Sequence, residues 1–593
     1  MRDKISLCVI THNEPKRLDR CLTLFKTAVD ELCVVHAHGN TPPDLEIARV
    51  CEKHGAKLGV YVNDPANDWP HVDNFAAARQ ASFDLASNEW CLWVDSDDVP
   101  GDDFAPALHQ LLKQYGDKFN GFVLYHNVAG RGIAHNARER LVKRSSGRWV
   151  NRLHENFLPH DGDSSRYARC DAPVVIHLPD NEAKQGNDRN LRILQSIPEE
   201  ERTVNTLYHI QGELMGQGRK KEALELAMKL TQHKDVAPVE KYEVLLNVAE
   251  LMRPPVIENP SPEYAGMCAA LHAAYALAPN RREALALLGA LHLDLFDVVK
   301  AEAYLRQMIA TPRPRELPWT HRDALYSWAG EQLWTQLLRI TGRTEQADKI
   351  ERDRLKSSGK PTISIIHPTR GRPTQAAHVR KAWLDNAADA SRIEHIFGLE
   401  ADSPDLPILG RFRHATSPAG RLDQTNCVAA TNAAARASVG DIVIYAQDDL
   451  AAPPLHWDER IIKALGDNIN RPAMVKIGDG RRTDDLICTP CLTRAAVQAL
   501  GYDDGIYFDG YRSMFCDTEL TWRAMKNQWL VPSGIVIQHQ HDPEAHETTR
   551  RSNSLENYRQ GFDLFCQRNA DYLEANPAFA PEIEAKFAEL AKK

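Results

Sequence analysis

The sequence has no apolar run approaching the ~20 residues that span a bilayer, so membrane insertion is not expected. There is no basic-then-apolar leader either. MRDKISLCVITHNEP passes straight into a strand pattern, which makes a cytoplasmic protein the expectation. Positive charge is not in excess: the formal net charge is −9, which argues against a protein that coats nucleic acid, although a local basic groove stays compatible with it. A cysteine framework is missing as well. The twelve cysteines are scattered, and the CxxC of Cys488 and Cys491 has no second ligand pair to complete a zinc site, so both read as structural thiols. What remains is a chain of 593 residues, 43% hydrophobic and 26% charged, an ordinary balance for folded soluble domains. That length suits about three or four domains of roughly 150 residues each.

Residues 1–195 alternate strand and helix signals. ISLCVI is an apolar strand, and KRLDRCLTLFKTAV spaces Leu18, Leu22, Phe25 and Val29 for a helix. ELCVVH is a second strand, LEIARVCEKHG a helix closed by Gly55, KLGVYV a third strand and FAAARQASFDLA a helix. This alternation predicts βαβ units and a parallel sheet. The stretch NEWCLWVDSDDVP is its focus: an apolar strand that ends in Asp95, Asp97 and Asp98. Carboxylates this close repel unless a cation sits among them. Hard oxygen ligands suit Mg²⁺ or Mn²⁺, and open α/β sheets bind ligands beyond the carboxyl ends of their strands. A metal–diphosphate site and a solvated acidic turn both fit these residues.

Taken together, the first strand with its NEP loop, the second strand, NFAAARQ and WVDSDD resemble a family 2 glycosyltransferase with the GT-A fold. The variety most similar is one whose catalytic domain is followed by tetratricopeptide-like helices. The resemblance covers most of residues 4–195. It implies that Asp97, third in the DxD signature, holds the divalent metal, that Asp95 lies near the ribose, and that Arg79 also serves the nucleotide sugar. His36 stands where the family usually carries the aspartate that reads the base, a departure that leaves the base open; a UDP-sugar is the expected donor. His154 and Glu155 match the family's His-Glu pair near the acceptor. Glu155 is the candidate general base, with a capping or salt-bridge role as the alternative. His177 ends the late strand APVVIHLP and is similar in position to a third metal ligand; a lone histidine is otherwise a structural residue.

Residues 196–355 lose the strand signals. TLYHIQGELMGQGRKKEALELAMKL resembles one tetratricopeptide repeat, with Gly218 at the turn and Ala223 at the small packing position. RPPVIENPSP and TPRPRELP interrupt the array, so it reads as repeat-like, serving either as a concave partner surface or as a rigid spacer.

After a linker, KSSGKP, residues 361–556 return to alternating strands and helices, and 557–593 read as a helical tail. TRGRP, with Arg370, faintly resembles sugar nucleotidyltransferases but lacks their glycine-rich run. A small-residue helix with Asn432 leads into DIVIYA, which ends in Gln447, Asp448 and Asp449. Ile5 and Asp97 are 92 positions apart, Ile363 and Asp449 86. Glu155 follows Asp97 by 58, and Asp517 follows Asp449 by 68. His177 then follows Glu155 by 22, as His539 follows Asp517. Four anchors in one order predict an internal duplication: two GT-A domains around an all-α middle. By the resemblance, Asp449 and His539 would hold a second metal ion, Asp517 would be the second catalytic base, and Asp448, Asn432 and Arg370 would contact the nucleotide sugar. Gln447 breaks the second DxD.

The expected activity is transfer of sugar, with inversion, from a nucleotide-diphosphate sugar to a hydroxyl of a protein or glycan, assisted by Mn²⁺ or Mg²⁺. Two other readings stay open. The acceptor is a modified DNA base, or one half has lost catalysis and only binds a sugar or partner.

Overall fold

The computed structural model describes residues 3–128, 135–178, 188–254, 257, 259–314, 322–359, 361–418, 426–482, 484–540 and 554–590. Two compact units divide the chain: residues 1–288 with 311–323, and residues 289–310 with 324–593. The expected helical domain, 196–355, is thus shared between two units, with the division inside the helix Glu283–Asp294. Much of the interruption TPRPRELP lies outside the described residues.

The first unit is built on an eight-stranded sheet. Its strands are β1 (Ile5–Thr11), β2 (Glu31–His36), β3 (Lys57–Val60), β4 (Trp90–Asp95), β5 (Asp98–Pro100), β6 (Gly121–Val128), β7 (His135–Lys143) and β10 (Tyr167–His177). β8 (Gly147–Val150) and β9 (Asn156–Pro159) form a separate hairpin. Across the sheet the order is β3-β2-β1-β4-β7-β6-β10-β5. β3, β2, β1 and β4 run parallel, β7 is antiparallel to both neighbours, and β6 pairs in parallel with β10. β1 and the apolar part of β4 are buried, as unbroken apolar runs between two layers of helix require. The helix Pro15–Phe25 starts with proline at its first position and buries Leu18, Cys21, Leu22 and Phe25, one stripe at helical spacing. Asp44 caps the next helix by accepting from the Glu46 N–H, and Gly55 ends it at φ 69°, a conformation glycine adopts without strain.

Helices Val204–Gly216 and Lys220–Gln232 form an antiparallel pair in this unit. Gly218 turns between them at φ 73°, and Ala223 is fully buried, as the repeat pattern predicts.

The second unit holds a seven-stranded sheet: β11 (Ile363–Pro368), β12 (Ile393–Glu400), β13 (His414–Ser417), β14 (Ile442–Tyr445), β15 (Met474–Gly478), β16 (Cys491–Thr493) and β17 (Leu530–Val536). Its order is β13-β12-β11-β14-β16-β15-β17. Four parallel strands are followed by one antiparallel strand and then by a parallel pair. Strand for strand this repeats β3-β2-β1-β4-β7-β6-β10, a counterpart in topology to the duplication expected from spacing. The tail helices Leu555–Arg568, Ala570–Ala575 and Phe579–Leu590 pack back through Phe562, Phe565 and Phe587. Their docking point is Glu519, which accepts from Tyr502, Tyr511, Arg523, Arg568 and Asn569.

Candidate active site

β4 carries the chain to the rim of the first sheet and ends at Asp95. The chain turns through Ser96 and Asp97, and Asp98 begins β5, which pairs antiparallel with the end of β10 so that Asp98 faces His177. His177 Nδ1 lies 3.0 Å from Asp98 Oδ1 and 3.3 Å from Asp97 Oδ1. Among the described residues these three form the one group of at least three carboxylate, imidazole or thiol donors with ligand atoms within 4.8 Å of one another. Burial alone would depress the His177 imidazole. Hydrogen bonds and charge from Asp97 and Asp98 outweigh it and raise the pKa to about 9. Two carboxylates and an imidazole suit Mn²⁺ or Mg²⁺ as a donor set, with positions left for phosphate oxygens.

Asp98 is fully buried. Its Oδ2 accepts from Arg140 Nη1 at 3.0 Å and from the Asp95 N–H at 2.9 Å. Arg140 is itself 1% exposed, and its guanidinium lies 3.8 Å from the centre of the Trp93 ring. Arg79 comes from the helix Phe75–Asp84, which Asn74 caps, and lies 4.0 Å from the same ring. It donates to Asp95 Oδ1 and, through Nε, to Glu155 Oε1, both at 2.9 Å. Its Nη1 is buried without a partner among the described residues. Burial pushes the Asp95 carboxyl up, but the Arg79 and Arg140 charges hold it below the ordinary carboxylate range.

These groups line a cleft of about 710 Å³. Asp95, Asp97, Arg79, Glu155 and His177 all face it, and so does Glu213 from the helix Val204–Gly216. Stacked rings of His154 and His209, 3.9 Å between centres, join the same helix to the site. His36 does not line the cleft. It is buried, with Nε2 2.7 Å from Asn13 Oδ1, and burial lowers its pKa to about 4, so a neutral imidazole replaces the expected acid. Sequence reasoning names Asp98 only as part of an acidic run and misses Arg140, because its partner is fixed by strand pairing rather than by a motif.

In the second unit His539 Nε2 lies 3.0 Å from Asp449 Oδ1. Burial pushes the Asp449 carboxyl up, but His539 holds it below the ordinary range. Asp517 opens the helix Cys516–Lys526, half-buried, and burial raises its carboxyl. Three other candidates make contacts within the protein. Asp448 is 2% exposed and accepts from His367 Nε2 and Thr369 Oγ1, both at 2.9 Å, beside Arg372. Asn432 is fully buried. Its amide donates to the Tyr507 carbonyl and Asp509 and accepts from the Ile506 and Tyr507 N–H groups. Arg370 pairs with Glu400 and Asp402. All three have partners within the protein itself.

Residues 6–162 match the model of the family described as Glycosyl transferase family 2. A TPR repeat-containing protein of Synechococcus elongatus is 34% identical over 97 residues, which is 16% of this chain and 21% of the relative. The chain thus spans about a fifth of that curated relative's length. TarS 1–349 of S. aureus, solved with UDP-GlcNAc, aligns at 14% identity and TM-score 0.25 over 51% of this chain and 90% of its own. A thermophilic TPR protein of Thermus thermophilus aligns at 19% identity and TM-score 0.23 over 29% of this chain and 84% of its own. Residues 6–162 are thus similar to the glycosyltransferases of family 2.

Proposed function

We propose that the chain transfers sugar from a nucleotide-diphosphate sugar, a UDP-sugar by preference, to a hydroxyl of a protein or glycan, with inversion and with Mn²⁺ or Mg²⁺. The observation that carries this reading is the Asp97–Asp98–His177 donor set at the rim of β4, whose Asp97 and His177 face a cleft large enough for such a donor. Asp97, Asp98 and His177 would hold the cation. When bound it supplies Lewis-acid charge for the leaving diphosphate. Arg140 pairs with Asp98 and holds it in place. Arg79 ties Asp95 to Glu155, so the donor side and the acceptor side of the cleft share one rigid clamp. Glu155 gives Oε1 to Arg79, while Oε2 carries no hydrogen bond among the described residues and is the group that takes the acceptor proton. Holding base and donor sugar on one clamp lowers the entropic part of the barrier.

The repeated strand order and the Asp449–His539 pair favour a second transferase site, with Asp517 as its base. Burial that raises a carboxyl makes it a better proton acceptor. Asp449→Ala is expected to abolish one of two separable transfer activities and leave the other unchanged. Product analysis with radiolabelled UDP-sugar measures this. Loss of both activities, or of neither, would remove the second site from the account.

A further inference from the structure

The second unit contains a void of about 20 Å³ where the helices Trp328–Ile340, Thr344–Ser357 and Pro373–Asp385 meet β12. Four arginines line it, Arg354, Arg380, Arg411 and Arg413, against two glutamates, Glu351 and Glu394. Both glutamates are already engaged. Glu394 accepts from Arg413, from Ser364 and from the Val439 and Gly440 N–H groups. Glu351 accepts from Arg339 at 2.9 Å. Arg411 has one carboxylate, Asp294 at 2.7 Å. Arg354 donates to the carbonyls of Ala390, Ser391 and Ile393, and its Nε lies 3.8 Å from Glu331 Oε2. Arg380 donates to the Gln332 side chain at 3.1 Å, lies over Phe412, and has no carboxylate partner among the described residues. The Nε groups of Arg380 and Arg411 are both buried and unbonded.

Arg354, Arg411 and Arg413 each have a carboxylate, which leaves Arg380 as the cation of the four without one among the described residues, and a cation shielded from water is costly unless something neutralises it. Water in the void would satisfy the open N–H groups but leave the charge. The volume admits a single small ion, since one water needs about 10–15 Å³, and it excludes a metabolite. The geometry points to a binding site for one small inorganic anion, chloride or an oxyanion such as phosphate or sulfate, held by Arg380 and Arg411 between the helices and β12. Nothing in the transfer reaction uses these residues.

Thermal unfolding of the full chain tests this in a gluconate background at constant ionic strength, with phosphate, sulfate or chloride added from zero to 20 mM. A ligand bound only by the folded state raises the midpoint along a saturation curve. The expected result is a saturable rise of about 3 °C for at least one of the three anions. That rise should disappear in Arg380→Met and in Arg411→Met. Isothermal titration of the wild-type protein supplies the same saturation curve should either variant fail to fold. A rise that grows linearly without saturating, a rise that both variants retain, or no rise with any of the three anions would overturn the site.

Discussion

Replacing Asp97 by alanine is expected to reduce sugar transfer by the first unit at least about 10³-fold, the scale of losing a group that organises transition-state charge. The protein should fold as before. Asp97 is one-fifth exposed, and its described partner is His177, so the change strands no buried charge. It also removes one of two carboxylates that repel each other across the donor set. The change also loses the Asp97 hydrogen bond to His177, so a modest destabilisation of about 1 kcal/mol is expected. Steady-state transfer and a calorimetric scan on the same preparation separate the two effects. A variant that folds normally and keeps its rate would show that the cleft works without Asp97.

The second large effect is structural. Arg140→Met removes the buried cation beside Asp98, itself fully buried. Removing one partner of a buried ion pair typically costs about 3–5 kcal/mol, because the other charge stays in a medium of low polarity. Replacing both partners is far less costly, so Arg140→Met with Asp98→Asn should recover most of the loss. A chain with two units unfolds in more than one step. The readout is the midpoint of the calorimetric transition that the single variant moves. An Arg140→Met protein as stable as the wild type would mean that the guanidinium does not carry the Asp98 charge.

Much of this arrangement is legible from the residues, and the parts that are not have physical reasons. β1 and β4 read as buried strands because both faces are apolar, and Gly55 and Gly218 stand where the backbone needs positive φ. His177 and His539 follow from their place in strand order, and each lies within about one hydrogen bond of its expected aspartate. Arg140 is invisible in the sequence because nothing in HNARERLVK marks one of its charges for burial, while pairing of β7 with β4 and β6 buries it against Trp93 and Asp98. Asn432 looks like a ligand contact on a small-residue helix. Its small neighbours serve a different end: the loop backbone packs so closely that a Cβ at Gly505 would sit 2.8 Å from the Asn432 amide carbon. Arg380 carries no signal at all, because its lack of a carboxylate partner is a property of packing.

The most direct test of the account is a Mn²⁺ titration with UDP present, followed by electron paramagnetic resonance on wild-type, Asp97→Ala and Asp449→Ala proteins. The account predicts UDP-dependent Mn²⁺ binding that Asp97→Ala weakens at one site and Asp449→Ala at another. Binding isotherms that coincide for all three proteins would contradict it.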